Sequence, residues 1–351
     1  MPDQTSSAPR PTLEAVAERA GVSRATVSRV VNGGAGVRAP LVEAVQRAVD
    51  ELGYVPNQAA RALVTRRNDA VAVVIGEPET RLFTDPFFAQ QLRGISKELT
   101  AHDSQLVLLL VEGTEDYERI GRFLAGSHVD GALVFSLHSD DPLPAIIRRL
   151  GLPTVYGGRP GWPGAEDDGN VLYVDSDNRG GAREAVRHLL SLGRRRIATI
   201  TGPLDQTASA DRLDGFRDVL SDADPRLITE GDFTPLGGER AMAELLDRCP
   251  DLDAVFAASD LMASGALRVL RERGRSVPDE VAVIGFDDIE SVAALTTPAL
   301  TTVRQDIEGM GRLMTRLLMR GLDQRHGNGT GPALPLSSVI TPTHLVRRVS
   351  A

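Results

Sequence analysis

Six short apolar runs, each followed by sequence of helical character, constrain this chain more than any other feature. AVAVVI begins at Ala70, LVLLLV at Leu106, GALVF at Gly131, RIATIT at Arg196, AVFAAS at Ala254 and VAVIGF at Val281. Continuous apolar strands of this kind are buried on both faces, and with helices between them they form parallel sheets covered on both sides. The runs are numerous enough for two sheets, so the expected fold is α/β with two lobes. The chain is expected to pass from the first lobe to the second near Asp177, to recross near Arg304 and to cross again near Pro335. That places the first lobe at about 69–176 and 304–335, and the second at about 177–303 and 336–351. The segment GLDQRHGNGTGPALP is Gly- and Pro-rich and is expected as an exposed connection.

The first 68 residues have a different texture and read as four short helices behind a disordered lead-in, 1–11. Thr12 can cap a helix reaching about Ala20, with Val16 and Ala17 turned inward. Gly21 permits a tight turn, and Ser23 can cap a second helix. Pro40 suits the first turn of a third, with Val45, Val49 and Leu52 on one face and Gly53 at its end. Ala17, Gly21 and Val27 have the spacing of a helix-turn-helix, giving a headpiece over 12–55. The second helix shows Arg24, Ala25, Arg29 and Asn32 outward, where side chains of such a helix reach base edges. Thr12, Ser23, Thr26 and Ser28 can meet phosphate oxygens. An ordinary small helical bundle with a solvated face is the alternative. The fourth segment, NQAARALVTRR within 56–68, carries too few bulky apolar residues to hold a helix alone.

Charge separates the same two regions. Nine arginines against six carboxylates up to Asn68 leave a balance of +3, so the rest of a chain of net −9 carries −12. A small basic head on an acidic body suits nucleic-acid contact confined to the head. Lys97 is the single lysine, every other cation being arginine, the residue able to make bidentate phosphate and guanine contacts.

Several function classes are disfavoured. No run of about 18 apolar residues exists to span a membrane, and the beginning MPDQTSSAPRPT lacks the basic and apolar regions of a secretory signal. One cysteine, Cys249, permits neither an internal disulfide nor a thiolate zinc site. Together these features give a cytoplasmic expectation, with no metal and no cofactor. There is no phosphate-binding loop, and GAGVRA from Gly34 follows a helix rather than a strand. The six histidines are scattered, with no HExxH and no nucleophile elbow. Asp287 and Asp288 are adjacent, which does not make the flanking pair a glycosidase needs.

The motifs TLEAVAERAGVSRATVSRVVNG and ELGYVPNQAARAL resemble the headpiece of LacI-family transcription regulators. GPLDQTASADRLDGF, AASDLMASGALRVLRERGRSVPDEVAVIGFDD and PALTTVRQD resemble that family's regulatory core, so the likeness covers almost the whole chain. The resemblance implies a hinge helix after VPN that orders only on DNA, with Asn57 and Arg61 in it. Leu63 occupies the position from which each half of a dimer wedges the minor groove and bends the duplex, at a cost of roughly a few kcal/mol offset by added contacts. It also implies a core of the periplasmic sugar-binding type at 69–351, with its effector in the cleft between lobes. Arg212 matches the effector-binding arginine, Phe88 and Phe233 the positions flanking the effector, and Tyr156 and Arg159 further contacts.

Open parallel sheets bind ligands beyond the carboxyl ends of their strands. Asp287 and Asp260 fall at such ends, as hydroxyl acceptors or an interlobe link, although Asp260 could equally be a helix N-cap. Gln305 lies at a crossing. Ser136 and His138, in SLHSDDP, are candidate sugar contacts, His138 being as well read as a structural residue. Trp162, the single tryptophan, sits in the Gly/Pro loop GRPGWPG and either stacks on the effector or lies at an interface. Within the family, RALVTRR, SLHSDDPLP, VYGGRP and GDFT look most like cellobiose- or cello-oligosaccharide-responsive repressors of high-GC bacteria. The expectation is therefore a homodimeric repressor of operator DNA, released by such a sugar, with the pairing of dimers left open. Its rivals are corepression by a purine or a phosphoprotein, a sugar-transport protein and a cytosolic glycosidase.

Overall fold

The computed structural model describes residues 11–31, 36–55, 67–165, 171–325 and 335–351. Asn32, Asn57, Arg61 and Leu63, with the expected hinge helix, lie outside these residues. The chain divides into two compact units, Met1–Asn68 and Asp69–Ala351.

In the first unit, α1 (Leu13–Ala20) starts at Thr12, whose hydroxyl accepts from the Ala15 amide at 3.3 Å. It stops at Gly21, whose φ of 67° is open to glycine at little cost. Ser23 opens α2 (Arg24–Val31), its Oγ accepting from the Thr26 amide at 3.1 Å. Pro40 sits in the first turn of α3 (Ala39–Leu52). One small core of Val16, Ala17, Val27, Val45, Ala48 and Tyr54 fixes the three helices together.

The second unit holds two six-stranded sheets among the described residues. The first is built from β1 (Ala70–Ile75), β2 (Gln105–Leu110), β3 (Gly131–Phe135), β4 (Thr154–Gly157) and β5 (Leu172–Ser176), joined by β11 (Val339–Thr341), in the order β11-β5-β4-β3-β1-β2. The second contains β6 (Ile197–Thr201), β7 (Ile228–Glu230), β8 (Ala254–Ala257), β9 (Ala282–Asp287), β10 (Thr301–Arg304) and β12 (His344–Val346), ordered β12-β10-β9-β8-β6-β7. Every pairing is parallel except β10 with β12. Strand β1 shows why its run is apolar throughout. Val71, Val73 and Ile75 enter one core with Phe88 and Met314, while Ala70, Ala72 and Val74 enter another with Ile120 and Leu143.

One boundary differs from expectation. Strand β11 pairs with β5, so residues 339–341 belong to the first lobe, and the last crossing falls between Thr341 and His344 rather than near Pro335. Three-residue strands at a sheet edge are too short to announce which sheet they join. The other crossings follow β5 and β10. After β10 the long helix α13 (Ile307–Arg325) returns to the first lobe and packs on α5 (Pro86–Ala101). The two approach so closely that a Cβ on Gly94 would lie 2.1 Å from the Glu308 carbonyl oxygen, and one on Gly311 would lie 2.4 Å from that of Gln91.

Candidate functional site

The core carries a cleft of about 1000 Å³, open to solvent, at the carboxyl ends of strands from both sheets. Loops after β3, β4 and β5 bring Ser136, His138, Gly158, Arg159, Trp162 and Asn178 to it from one side. Gln206 and Ser259, after β6 and β8, and Asp287, the last residue of β9, come from the other. Ser136, Phe233 and Asp287 have positive φ values of 60°, 60° and 111°. Backbone strain of this kind concentrates where side chains are aimed at a function.

Arg212, on α9 (Thr207–Val219), forms the floor and is 5% exposed. Its Nε donates to Asn178 Oδ1 at 2.9 Å and its Nη1 donates to the Ala258 carbonyl. The guanidinium lies 3.7 Å from the Phe286 ring centroid, and its Nη1 is 3.6 Å from Asp287 Oδ1. Burial lowers the arginine's pKa, with Asp287 opposing that shift. The same burial pushes the Asp287 carboxyl up to about 7 against the pull of Arg212. Gln305, at the second crossing, donates to Asp287 at 2.6 Å and accepts from Ser176 Oγ at 2.6 Å, so it ties both lobes to the floor. Asp175 accepts from the Ser176 amide and from Asn178, and burial raises its pKa.

A second polar group stands at another part of the wall. Glu77 is 3% exposed and accepts from Arg81 Nη1, from Ser136 Oγ at 2.6 Å and from Gln206 Nε2 at 2.9 Å. His138 Nδ1 lies 2.7 Å from Asp205 Oδ2, and Gln206 Nε2 is 3.2 Å from His138 Nε2. Asp205 and Gln206 follow β6, so these bonds join the lobes. Arg159 does the same, its Nη2 donating to Asp211 Oδ1 at 2.5 Å while its carbonyl accepts from Thr207. Tyr156 and Trp162 pack with ring centroids 4.8 Å apart. Trp162 therefore has the packing partner that its loop did not suggest, and it lines the cleft as well.

Thus Phe88, Ser136, His138, Tyr156, Arg159, Trp162, Arg212, Phe233, Asp287 and Gln305 converge on one cleft. Asp260 does not. It is fully buried, and its carboxylate accepts from the Ile289 amide at 2.8 Å and from Thr302 Oγ1, both in the second lobe. It is neither an interlobe link nor the cap of α11 (Asp260–Glu272), because Ser259 accepts from the Met262 amide and fills that role. Sequence pattern alone does not single out Glu77, Arg81, Asn178, Asp175 and Gln206. The i,i+4 spacing of Glu77 and Arg81 was the available signal for one pair.

In the head, Arg24, Ala25 and Arg29 are exposed on one helix and Ser28 is half-buried. Arg24 Nε lies 3.0 Å from Glu14 Oε1, and the hydroxyls of Ser23 and Thr26 bond each other at 2.9 Å. Among the described residues no cluster of His, Cys, Asp or Glu could hold a metal, and no helix is long and apolar enough to cross a membrane.

A helix-turn-helix head joined to a two-lobed core with a polar cleft defines a ligand-responsive DNA-binding regulator. The lacI family model of bacterial regulatory proteins matches residues 12–57, and a periplasmic binding protein-like domain matches 186–351. The HTH-type transcriptional regulator CelR of Thermobifida fusca is 51% identical over 346 residues, 97% of this chain and 98% of the relative. The ribose operon repressor of Escherichia coli K12 is 34% identical over 321 residues, 89% and 93% of the two chains. The chain belongs to the LacI family of bacterial transcription regulators. A solved CelR–cellobiose complex superimposes with a TM-score of 0.74 at 49% identity, covering 97% of this chain and all of that one. The lac repressor dimer bound to operator and the anti-inducer ONPF gives 0.82 at 27% identity, covering 97% and 98%.

Proposed function

We propose that this regulator represses transcription as a homodimer on a two-fold symmetric operator and is released by a neutral β-linked glucose oligomer, cellobiose foremost. One observation carries the choice of a neutral ligand. A carboxyl group lies within 3.6 Å of each arginine on the cleft wall: Glu77 at Arg81, Asp211 at Arg159 and Asp287 at Arg212. A phosphorylated or carboxylated effector needs an unmatched cation, whereas sugar hydroxyls need paired donors and acceptors on burial. The cellobiose complex of the relative CelR supports the same class.

In this reading Arg24, Ala25, Arg29 and Asn32 face base edges, while Thr12, Ser23, Thr26 and Ser28 face phosphates. Asn57, Arg61 and Leu63 act in the hinge. Effector contacts come from Phe88, Ser136, His138, Tyr156, Arg159, Trp162, Arg212, Phe233, Asp287 and Gln305, without Asp260. Sugar binding favours one lobe arrangement and operator the other, which is all that control requires. The cleft carboxylates serve binding and not turnover, and the protein works in the cytoplasm, where its operator is.

The test is a gel shift of operator by the full chain, titrated with cellobiose, cellotriose, maltose, glucose, a purine base and inorganic phosphate. Release by the β-linked sugars supports the proposal. Release by maltose alone overturns the linkage, and tighter operator binding with the purine overturns induction.

A further inference from the structure

The wall beside Phe88 holds two buried polar atoms with no hydrogen-bond partner among the described residues: Arg81 Nε and Gln91 Oε1. Both residues line the cleft. Gln91 is 1% exposed, on α5, and its amide nitrogen points at Met314 Sδ, 3.3 Å away. A thioether sulfur only accepts, so the amide oxygen is the end left facing away from Met314. Arg81, in α4 (Glu79–Thr84), has one arm on Glu77. Its guanidinium carbon lies 5.6 Å from the Phe88 centroid and 5.1 Å from the Phe233 centroid, so it fills the space over both rings. One face of each ring is thereby covered by a cation, and the Phe88 ring also stacks on Phe135 with centroids 6.2 Å apart.

These are two of ten such side-chain atoms among the described residues, and these two border the cleft. One is a donor and the other an acceptor, and the donor's charge is matched by Glu77. A neutral ligand whose hydroxyls both accept and donate can satisfy each of them. We infer that Arg81 and Gln91 read hydroxyls of the effector in the first lobe, beside the Phe88 ring. The inference rests on the sugar reading above and adds the residues that discriminate among sugars. A site built to bond a hydroxyl rejects the analogue lacking it, because its own polar groups are then stranded.

Calorimetry on the full chain, with cellobiose and its set of monodeoxy derivatives, tests this. The unaltered protein should bind at least one deoxy derivative roughly tenfold to a hundredfold more weakly than cellobiose. Gln91→Met keeps the side chain's length without the orphan acceptor. Arg81→Lys keeps the charge beside Glu77 without Nε. Each variant should bind cellobiose and that derivative equally, while keeping discrimination at the other hydroxyls. Thermal midpoints report folding, and Arg81→Lys, at a partly exposed position, carries the test if Gln91→Met does not fold. Discrimination at every hydroxyl surviving in the folded variants overturns this subsite and leaves the sugar reading standing. Absence of cellobiose binding by the unaltered chain overturns both.

Discussion

Replacing Arg212 by methionine should destabilise the core in a pH-dependent way. The substitution keeps much of the volume but removes the donor to Asn178, the donor to the Ala258 carbonyl, the cation over Phe286 and the partner of Asp287. Removing one member of a buried ion pair costs about 3–5 kcal/mol, because the other charge is left uncompensated. Asp287 has an escape: burial already pushes its carboxyl up to about 7, and losing the arginine raises it further. At pH 8 the loss should be near the full figure. At pH 6 the stranded carboxyl is protonated, and the loss should shrink by about 1–2 kcal/mol, within the limit of about 2.7 that one proton contributes over two pH units. Urea denaturation of the unliganded chain at both pH values, followed by Trp162 emission, measures this. A loss that does not change with pH would mean that Asp287 does not depend on Arg212 for its charge.

The contribution of Asp287 to stability should fall as pH rises from about 4 to about 7. Over that window folded Asp287 keeps a proton that the unfolded chain has released, since its ordinary value is 3.8. Asp287→Asn should shift the slope of urea midpoint against pH in the positive direction, and an unchanged slope would remove this carboxyl from the linkage. Gly94→Ala should cost about 1–3 kcal/mol or more, because its Cβ would meet the Glu308 carbonyl oxygen at 2.1 Å and force α5 and α13 apart; wild-type urea midpoints would show that the helices can yield. Arg29→Ala should weaken specific operator binding by roughly 1–3 kcal/mol, the range for a lost base contact. A footprint and affinity like wild type would take Arg29 out of base reading.

The apolar runs disclosed six strands because a strand covered on both faces is predominantly apolar, although β6 buries Thr199 and Thr201 and β2, at a sheet edge, leaves Leu108 exposed. The same reasoning failed at β7, β11 and β12, where three residues at a sheet edge have no room for a pattern. In the site, position after a strand was legible but side-chain direction was not. Asp260 and Asp287 both follow apolar strands, yet one carboxylate turns into the second lobe to hold Ile289 and Thr302 and the other turns to the cleft. Glu77, Gln206 and Asn178 look like ordinary loop and cap residues in sequence. Their function comes from partners 34 to 129 positions away, which only the folded lobes bring within reach.

The central claim is that the head and the cleft bias the same two arrangements of one protein. Cellobiose affinity measured by calorimetry on the full chain, alone and saturated with operator, tests it most directly. Coupling between two binding sites is reciprocal, so operator must weaken cellobiose binding by the same factor by which cellobiose weakens operator binding. A matched factor of about 5 to 150, the range typical of such coupling, is the predicted result. Equal cellobiose affinity with and without operator would contradict the account, however tightly each ligand binds.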